Sequence, residues 1–303
     1  MLNGTEPLVS VITLNYNQAK VTCEFLESCR GLLYRNYEIL VCDMASQQDP
    51  TPLIASGNYP NTRVLLSKKN LGFAGGNNWG IAQARGDYIF IVNNDTEVTP
   101  DLLHKLLAAF SSAPDIGVVC PKIKYWDAKD IIQYAGFNKM NPITGRTSTL
   151  GNKEKDLGQY DVSGPTHGAH GCAMMVKREV IDKVGMFPSK FFLYYEEWDW
   201  SARIQRAGYT IWYEASAVIY HKESMSVGKN NPMKVYYHTR NRILYMRRNT
   251  SFPQLLLFML FFTFFTAPKA IFKYLVSRQF SQLRYFIKGV AWNLYSSSHS
   301  AVK

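Results

Sequence analysis

The chain has 303 residues, of which 47% are hydrophobic and 14% aromatic, so it can bury a full core and is too apolar to be disordered. Its net charge of +11 arises from residues 234–303, which hold eleven Lys or Arg and no Asp or Glu, whereas residues 1–233 carry 23 charges of each sign. Because this excess lies in a tail rich in Phe and Leu, the charge argues against a nucleic-acid-binding protein and indicates contact with an anionic membrane surface through residues 247–288.

The cysteines and the N-terminus indicate where the protein resides. The five cysteines are odd in number and include no C-x-x-C pair, which predicts free, buried thiols in a reducing compartment. The first predicted strand is not preceded by a basic region and an apolar stretch, so nothing directs secretion. We therefore expect a cytoplasmic protein that is peripherally associated with the inner face of the plasma membrane.

Predicted strands and helices alternate along the first 120 residues. Short apolar runs predict strands at 8–14, 37–42, 63–66, 87–92 and 116–120, and helical patterns cover 18–30, 73–85 and 99–112. This alternation predicts an α/β fold with a mostly parallel, doubly wound sheet flanked by helices. Ligands bind such sheets beyond the carboxyl ends of the strands, so polar residues at those ends are the first site candidates.

The second half of the chain predicts an insertion, more sheet and a helical tail. Residues 122–165 are rich in Asn, Gly, Thr and Lys, which predicts an irregular insertion over the sheet edge. Further elements are predicted as a strand at 172–176, helices from 178 and over 196–206, and strands at 210–213 and 217–220. A polar linker at 224–232 predicts a boundary between a first domain, residues 1–230, and a basic, aromatic-rich helical region, residues 231–303.

The apolar part of the tail predicts a helix that lies on a membrane. Residues 255–265 are uncharged, which is shorter than the about 20 apolar residues that a spanning helix needs. If residues 269–288 form one helix, most of their cations fall within an arc of about 100°, which favours a helix in the interface. Packing against protein and spanning the membrane are the alternatives.

Three polar side chains at predicted strand ends suit a metal-bound nucleotide. Asp95, in the run Asn93-Asn94-Asp95, could hold a divalent cation, Mg²⁺ or Mn²⁺, against two phosphate oxygens. Asp43 could accept hydrogen bonds from a base or a ribose, and His221 could ligate the cation through a neutral imidazole. The alternatives are turn or capping roles for the two acids and a structural role for the histidine.

Glu196, Glu197 and Asp199 crowd three carboxylates at the start of a predicted helix, between aromatic residues. Like charges raise one another's pKa, so one of these acids could act as a general base near neutral pH. The aromatic neighbours could remove water from the acids and stack on sugar rings. A purely structural acidic helix start is the alternative.

A glycine-rich run at residues 70–78 precedes another predicted helix. It lacks the dinucleotide-binding spacing and the lysine of a P-loop. Its glycines would still let the backbone approach a ligand, and the helix N-terminus would suit an anion. An ordinary glycine-rich turn is the alternative.

These segments, in this order, resemble the family 2 glycosyltransferases with the GT-A fold, especially their bacterial rhamnosyltransferase-like branch, over about residues 8–248. The motifs that carry the resemblance are Val9-Ser10-Val11-Ile12-Thr13-Leu14-Asn15-Tyr16-Asn17, Asn70-Leu71-Gly72-Phe73-Ala74-Gly75-Gly76-Asn77-Asn78, Asn93-Asn94-Asp95-Thr96, Phe192-Leu193-Tyr194-Tyr195-Glu196-Glu197-Trp198-Asp199 with Arg203, and His221 with Arg240-Asn241-Arg242. The resemblance implies an inverting transfer of a hexose such as rhamnose from a dTDP- or UDP-sugar to an acceptor hydroxyl, on a glycan or a lipid-linked or cell-surface polysaccharide precursor.

The resemblance also implies a role for each matched residue. Glu197 would deprotonate the acceptor, and Asp199 would orient the acceptor or support the base. Asp95 would act as the second acid of the D-x-D metal motif, with His221 as a further ligand of the metal or diphosphate. The residues expected to bind the nucleotide sugar are Thr13, Asn15, Asn17, Asp43, Asn70, Gly72, Asn77, Asn93, Asn94 and Arg240.

Two departures from the family pattern leave alternatives open. Asn93 stands where the first D-x-D acid is usual, and Glu197 stands where Asp is usual, so the base could be Glu197 or Asp199. A catalytically degenerate nucleotide-sugar-binding scaffold at the membrane is the main alternative function. A sugar-phosphate nucleotidyltransferase and an NAD-dependent dehydrogenase fit less well, because the chain lacks a basic glycine-rich N-terminal loop and the dinucleotide fingerprint.

Overall fold

The structure is a computed structural model that describes residues 6–222 and 231–300, so most of the predicted linker at 224–232 lies outside the described residues. The strands are β1 (Val9–Asn15), β2 (Tyr37–Asp43), β3 (Thr62–Leu66), β4 (Tyr88–Val92), β5 (Thr96–Val98), β6 (Ile116–Tyr125), β7 (Ile132–Tyr134), β8 (Gly164–Pro165), β9 (Ala173–Lys177) and β10 (Thr210–His221). The helices are α1 (Ala19–Cys29), α2 (Thr51–Ser56), α3 (Gly72–Gln83), α4 (Leu102–Ala109), α5 (Arg178–Val184), α6 (Glu196–Arg206), α7 (Pro232–Asn249), α8 (Phe252–Phe261), α9 (Ala267–Val276) and α10 (Phe280–Tyr295), with a 3₁₀ turn at Ser189–Phe191 and a π-helical turn at Phe262–Thr266.

The described strands form one sheet in the order β3-β2-β1-β4-β9-β6-β10-β5, with β7 beside β6 and β8 beside β10. The strands β3, β2, β1 and β4 are parallel. Strand β9 is antiparallel to β4 and β6, and β10 is parallel to β6, so β4 and β10 run in the same direction. The carboxyl ends of β1, β2, β4 and β10 therefore lie along one edge of the sheet.

The central strands are buried because helices cover both faces of a parallel sheet. All residues of β2 are buried, as are four of the five residues of β4. Helix α3 lies close to the sheet because of its glycines: a Cβ on Gly80 would lie 2.7 Å from Ile12 Cγ2, and one on Gly76 would lie 2.8 Å from Met44 Sδ. This contact fixes α3 against the strands whose ends carry the predicted site.

The predicted α/β class is confirmed, and the differences concern short or irregular elements. The strands predicted at 210–213 and 217–220 are one strand, β10, whose pairing with β6 shifts register between Glu214 and Val218. A bulge of this kind breaks the alternation of side chains that predicts a strand. Strands β5, β7 and β8 have three residues or fewer, which is too short for a periodic pattern, and β7 and β8 lie inside the predicted irregular insertion.

The tail is helical, as predicted, but its apolar segment is longer than expected. Residues 252–276 form one continuous helical run of 25 residues, long and apolar enough by composition to cross a membrane. The run is about 37 Å long at 1.5 Å per residue. It passes through a π-helical turn just before Pro268, which has no amide hydrogen to bond to Phe264 O. The expectation that this segment is too short to span is therefore corrected.

One side of this run packs on the rest of the protein. Phe258 and Phe262 are buried, and the Arg242 guanidinium lies 5.6 Å from the centroid of each of their rings. Other large side chains, including Phe264 and Phe272, are exposed. The helix therefore combines a protein-facing stripe with an exposed apolar surface.

Candidate active site

A chain of hydrogen bonds joins the ends of three strands. Asn94 Nδ2 donates to Thr22 Oγ1 at 2.9 Å, and Thr22 Oγ1 donates to Asn15 Oδ1 at 2.9 Å. Asn15 Nδ2 then donates to Asp43 Oδ1 at 2.6 Å. All four side chains are buried. The predicted residues Asn15 and Asn94 thus hold the strand ends together, and Thr22 on α1 links them.

Asp43 is held in place by its own loop. Ser46 donates to both of its carboxylate oxygens, from N at 2.9 Å and from Oγ at 2.5 Å. The same Ser46 Oγ accepts from the amide of Asn17, an exposed residue with φ of 56°. Thr13 is fully buried inside β1, and its hydroxyl has no hydrogen-bond partner in the described chain. Asp43 and Asn17 therefore border the sheet edge, whereas Thr13 lies beneath it.

Asp95 and His221 come together because β5 folds back along β10. Thr96 pairs with His221 in that antiparallel ladder, and this pairing brings Asp95 Oδ1 to 3.1 Å from His221 Nε2. The other ring nitrogen, Nδ1, lies 2.9 Å from Gln133 Oε1. Since an amide oxygen only accepts, Nδ1 carries a proton, and a neutral ring would present an unprotonated Nε2 to the carboxylate.

This pair suits a divalent cation. Asp95 Oδ1 is buried and has no properly oriented hydrogen bond from a described residue. Burial lowers the pKa of His221, but Cys172 and Asp95 raise it by more, so without a cation the ring is held protonated. A carboxylate and an imidazole fixed by a second hydrogen bond are suitable ligands for Mn²⁺ or Mg²⁺. Among the described residues no cluster of three such side chains could hold a metal, so the remaining ligands would be phosphate oxygens and water.

Glu197 borders the same region. The amide of Asn93 donates to Cys172 O at 2.9 Å, which joins the end of β4 to the segment before β9. The neighbouring Gly171 faces Glu197, because a Cβ on that glycine would lie 3.9 Å from Glu197 Cγ. Cys172 also contacts His221. The residues 171–172 thus lie between the pair of Asp95 and His221 and the carboxyl of Glu197.

Burial sets the protonation of the two adjacent glutamates. Burial raises the pKa of Glu197 to about 7, although backbone amides at its helix N-terminus oppose the shift. Burial and the neighbouring Glu197 raise the pKa of Glu196 well above its ordinary value. Glu196 Oε2 has no hydrogen-bond partner in the described chain. Glu197 can therefore exchange a proton near neutral pH, whereas the raised pKa of Glu196 favours its protonated form.

Glu196→Gln is expected to stabilise the protein increasingly as the pH rises above about 4.5. The folded state keeps a proton on Glu196 that the unfolded state releases, so wild-type stability falls with rising pH from the unfolded pKa towards the folded pKa. Glutamine removes this penalty. Melting temperatures of wild type and variant at pH 4.5, 6.5 and 8.5 would test it, with the exposed Glu179→Gln as the control. A difference that is constant with pH would contradict the raised pKa.

Asp199 does not reach the site, which corrects the expectation that it contacts the acceptor or supports the base. Its carboxylate is 1% exposed and accepts from Arg203 Nε at 3.1 Å, Arg248 Nε at 2.7 Å and Asn249 Nδ2 at 2.8 Å. Burial opposes ionisation, but the hydrogen bonds and charge of Arg248 and its other partners outweigh it, so the pKa of Asp199 lies below its ordinary value. Asp199 therefore joins α6 to α7 as a buried ion-pair centre.

The backbone before α6 is held by two residues of α7. Asn241 Nδ2 lies within 2.9 Å of the carbonyls of Phe191, Leu193 and Tyr194. Arg240 Nη2 donates to the carbonyls of Lys190 and Phe191. These bonds stabilise a loop in which three residues have positive φ, which costs free energy in side-chain-bearing residues: Phe192, Tyr194 and Tyr195. Arg240, predicted to bind the nucleotide, is instead buried and occupied by this loop.

The glycine-rich run contacts protein where a ligand was expected. Gly72 has φ of 69°, and a Cβ there would lie 2.4 Å from Phe192 O. That same carbonyl accepts from the amides of Phe73 and Ala74, so the N-terminus of α3 is occupied. Asn70 Oδ1 caps the Gly72 amide at 2.8 Å. The predicted anion site at this helix start is therefore wrong for this conformation.

Asn77 lies one turn into α3. Its Nδ2 donates to Phe73 O at 2.9 Å, and its buried Oδ1 has no hydrogen-bond partner in the described chain. The side chain is 1% exposed. Asn77 therefore lies beneath the site surface, like Thr13.

Sequence reasoning missed several residues that shape the site. Gln133 lies on a three-residue strand within the predicted irregular insertion, and Thr22 and Ser46 are ordinary polar residues on a helix and a loop. Arg248 is one of many cations in a tail attributed to membrane contact. Their importance depends on long-range contacts, so no local sequence pattern indicates it.

Comparison with known proteins decides the family. Residues 10–185, more than half of the chain, match the family model described as Glycosyl transferase family 2. The chain belongs to glycosyl transferase family 2. Two solved structures share the fold at low sequence identity. The chain aligns with the mannosyltransferase PcManGT from Pyrobaculum calidifontis in complex with GDP-Man and Mn²⁺ at a TM-score of 0.60 and 16% identity, covering 96% of this chain and 88% of that one. It aligns with S. aureus TarS 1-349 at a TM-score of 0.55 and 17% identity, covering 94% of this chain and 82% of that one. The predicted GT-A fold is confirmed.

Two sequence relatives extend the family 2 comparison. An uncharacterized protein, y4gI, from Sinorhizobium fredii is 28% identical over 256 residues, which are 82% of this chain and only 28% of that protein. The N-acetylglucosaminyl-diphospho-decaprenol L-rhamnosyltransferase of Mycobacterium tuberculosis is 25% identical over 260 residues, 79% of this chain and 84% of that one. The predicted resemblance to a rhamnosyltransferase-like branch of family 2 is confirmed at 25% identity.

Proposed function

We propose that this family 2 glycosyltransferase transfers a hexose such as rhamnose, with inversion, from a dTDP- or UDP-sugar to a hydroxyl of a lipid-linked polysaccharide precursor. The observation that carries the proposal is the approach of the Glu197 carboxyl to the segment 171–172, which also contacts His221 beside Asp95. A proton acceptor and a diphosphate-binding pair on neighbouring elements are what such a transfer requires.

The transfer needs a proton acceptor and a leaving group on opposite sides of the sugar. The Glu197 carboxylate takes the proton from the acceptor hydroxyl while that oxygen forms a bond to the anomeric carbon. The bond from the anomeric carbon to the diphosphate oxygen breaks, and its electron pair leaves with the nucleoside diphosphate. A carboxyl with a pKa of about 7 is well suited to this step at neutral pH.

The donor would lie along the edge that Asp43, Asn15 and Asp95 border. Asp43, fixed by Ser46, would accept hydrogen bonds from the base or ribose. Asp95 and His221 would hold a divalent cation, which when bound would neutralise charge on the leaving diphosphate. The complex of PcManGT with a sugar nucleotide and Mn²⁺ supports this placement for the same fold.

The tail supports a lipid-linked acceptor. The mycobacterial relative is named for a diphospho-decaprenol substrate. In this chain, the exposed apolar side of the 252–276 helix and the excess of cations after residue 234 suit the inner face of an anionic membrane, where such an acceptor resides. Enzyme and acceptor would then meet at the bilayer surface.

A thermal-shift panel of UDP-, dTDP- and GDP-sugars with and without Mn²⁺ tests the donor site. A donor at about 100 times its Kd should stabilise the folded state by about 2.7 kcal/mol. We expect one base to give a Mn²⁺-dependent shift that Asp95→Ala abolishes. Asp101→Asn, which alters an exposed carboxylate paired with Lys105, is the control and should keep the shift. The absence of a shift with every donor would contradict the proposed function.

A further inference from the structure

A cavity of about 1110 Å³ lies between α7, the helical run 252–276 and the loop that carries Arg146. Neither Asp95 nor His221 lines it, so it is distinct from the donor edge. Tyr195 lines one side of it, two residues before Glu197. The cavity therefore adjoins the predicted base, with the loop before α6 as their common border.

The lining of this cavity is strongly cationic. It includes Arg146, Lys234, Arg242, Lys269 and Lys273 and no Asp or Glu. None of these five cations forms an ion pair within the described part of the chain. Arg242 is the buried member of the five, at 6% exposed, and its Nε donates to Thr144 O at 2.6 Å, but no carboxylate balances its charge, which costs free energy. Arg146, Lys269 and Lys273 are exposed at the cavity border. The cavity therefore favours an anionic ligand.

The pKa values of two lining groups are lowered, first by burial and then by the neighbouring cations. Burial, Lys234 and Arg146 lower the pKa of His238 to about 4. Burial and Arg146 lower the pKa of Arg242 to about 10. Cations that repel one another are stabilised most by a ligand with more than one negative charge, such as a diphosphate.

The remaining wall is aromatic and continues to the exposed surface of the helix. Phe261, Phe262 and Phe286 line the cavity, and so do Phe264 and Phe265, whose side chains are 67% and 65% exposed. An inorganic anion would leave this wall unused. A ligand that joins a diphosphate to an apolar chain would contact both the cations and the aromatic rings.

The cavity is close enough to Glu197 for such a ligand to present a sugar there. Two residues of chain span at most about 7 Å, so Tyr195 and Glu197 are near neighbours. Tyr195 Oη donates to Gly145 O at 3.0 Å, and the ring of Tyr194 stacks on His238 at 4.1 Å, which fixes this border. A sugar linked to a diphosphate in the cavity would reach past Tyr195 towards the base.

We infer that this cavity binds the acceptor, with the cations around the diphosphate and the aromatic wall around the first isoprene units of a polyprenyl chain. The inference rests on the proposed function, since it names where the lipid-linked acceptor binds. It also gives the tail a second role, in which α7 and α9 form the acceptor site while the exposed face of the same helical run meets the membrane.

Binding of farnesyl diphosphate to the full chain tests the inference without any sugar donor. Lys269→Ser/Lys273→Ser removes two lining cations from one side of α9. Arg284→Ser/Lys288→Ser removes two exposed cations with the same spacing on α10, outside the cavity, and is the matched control. Since a hydrogen bond to a charged group contributes about 1.5–3 kcal/mol, we expect the first variant to raise the Kd at least about tenfold and the control to change it less than about twofold.

Several results would overturn the inference. An equal loss in both double variants would mean that surface charge alone attracts the ligand, and equal binding of farnesol would mean that the diphosphate is not recognised. Displacement by an equal concentration of soluble dihexanoyl phosphatidylglycerol would assign the cavity to membrane phospholipid. The donor-induced thermal shift is measured on the same samples. If the wild type gives the donor-induced shift but does not bind farnesyl diphosphate, this inference alone is overturned. If the wild type gives no donor-induced shift, the proposed function is overturned.

Discussion

Glu197→Gln is expected to lower kcat by about a thousandfold while the donor still binds. General-base catalysis contributes about 10²–10⁴ in rate, and glutamine has nearly the same shape but cannot take the acceptor proton. Release of nucleoside diphosphate, with N-acetylglucosaminyl-diphospho-farnesol as acceptor, would measure the loss. The donor-induced thermal shift would show that the site is otherwise intact.

The pH dependence of the wild type gives an independent check. Only the carboxylate form of Glu197 accepts a proton, so kcat/KM should rise with pH and level off above about 7. Glu196→Gln, one residue away, is the matched control and should retain activity within about tenfold, because the raised pKa of Glu196 favours its protonated form, which glutamine resembles. Turnover that survives in Glu197→Gln would remove the base from this position. Donor binding without turnover in the wild type, with every acceptor, would favour the scaffold alternative.

Asp199→Asn is expected to lower the free energy of unfolding by about 3–5 kcal/mol. Removing one partner of a buried ion pair leaves the opposite charges buried without compensation, here Arg203 and Arg248. Urea denaturation at pH 7 measures the loss. Asp101→Asn, which breaks an exposed ion pair with Lys105, is the control and should cost about 0.5 kcal/mol or less.

The loss should depend on pH in a defined direction. The pKa of Asp199 is lower in the folded state than its ordinary value of 3.8, so its stabilisation is present above about pH 4 and is lost as the pH falls through the folded pKa. The difference between wild type and variant should therefore shrink in acid. A variant of unchanged stability with a greatly reduced kcat would instead restore the acceptor-orienting role for Asp199.

Sequence reasoning predicted what depends on chain order and local pattern. The continuous apolar run before Asn93 predicted a buried strand, and the parallel sheet then placed Asp43, Asp95 and His221 at one edge. These features follow from periodicity and from the rule that ligands bind at strand ends. The crowded carboxylates predicted a base among Glu196, Glu197 and Asp199, and only the resemblance to family 2 singled out Glu197, whose pKa in the structure suits a base.

The roles that were misjudged depend on which side of a helix a residue occupies once packed. Asp199 lies two positions after Glu197, about 200° around α6, so it points to α7 while Glu197 borders the site. Arg240 and Gly72 belong to motifs of the family, yet both contact the backbone of the loop that precedes α6. Some residues of a motif contact the ligand, and others hold the contacting residues in place. No local sequence pattern distinguishes the two kinds.

The three short contacts from the Asn241 amide to loop carbonyls have a practical meaning for how this polypeptide can be divided. The predicted boundary at residue 230 separates stretches of different composition, but the backbone that carries Glu197 is braced by side chains from beyond it. A gene shortened before Pro232 would encode the donor edge without this brace. The stretch after residue 230 is therefore part of the support for the Glu197 backbone, and we expect the two stretches to lose this support when they are expressed apart.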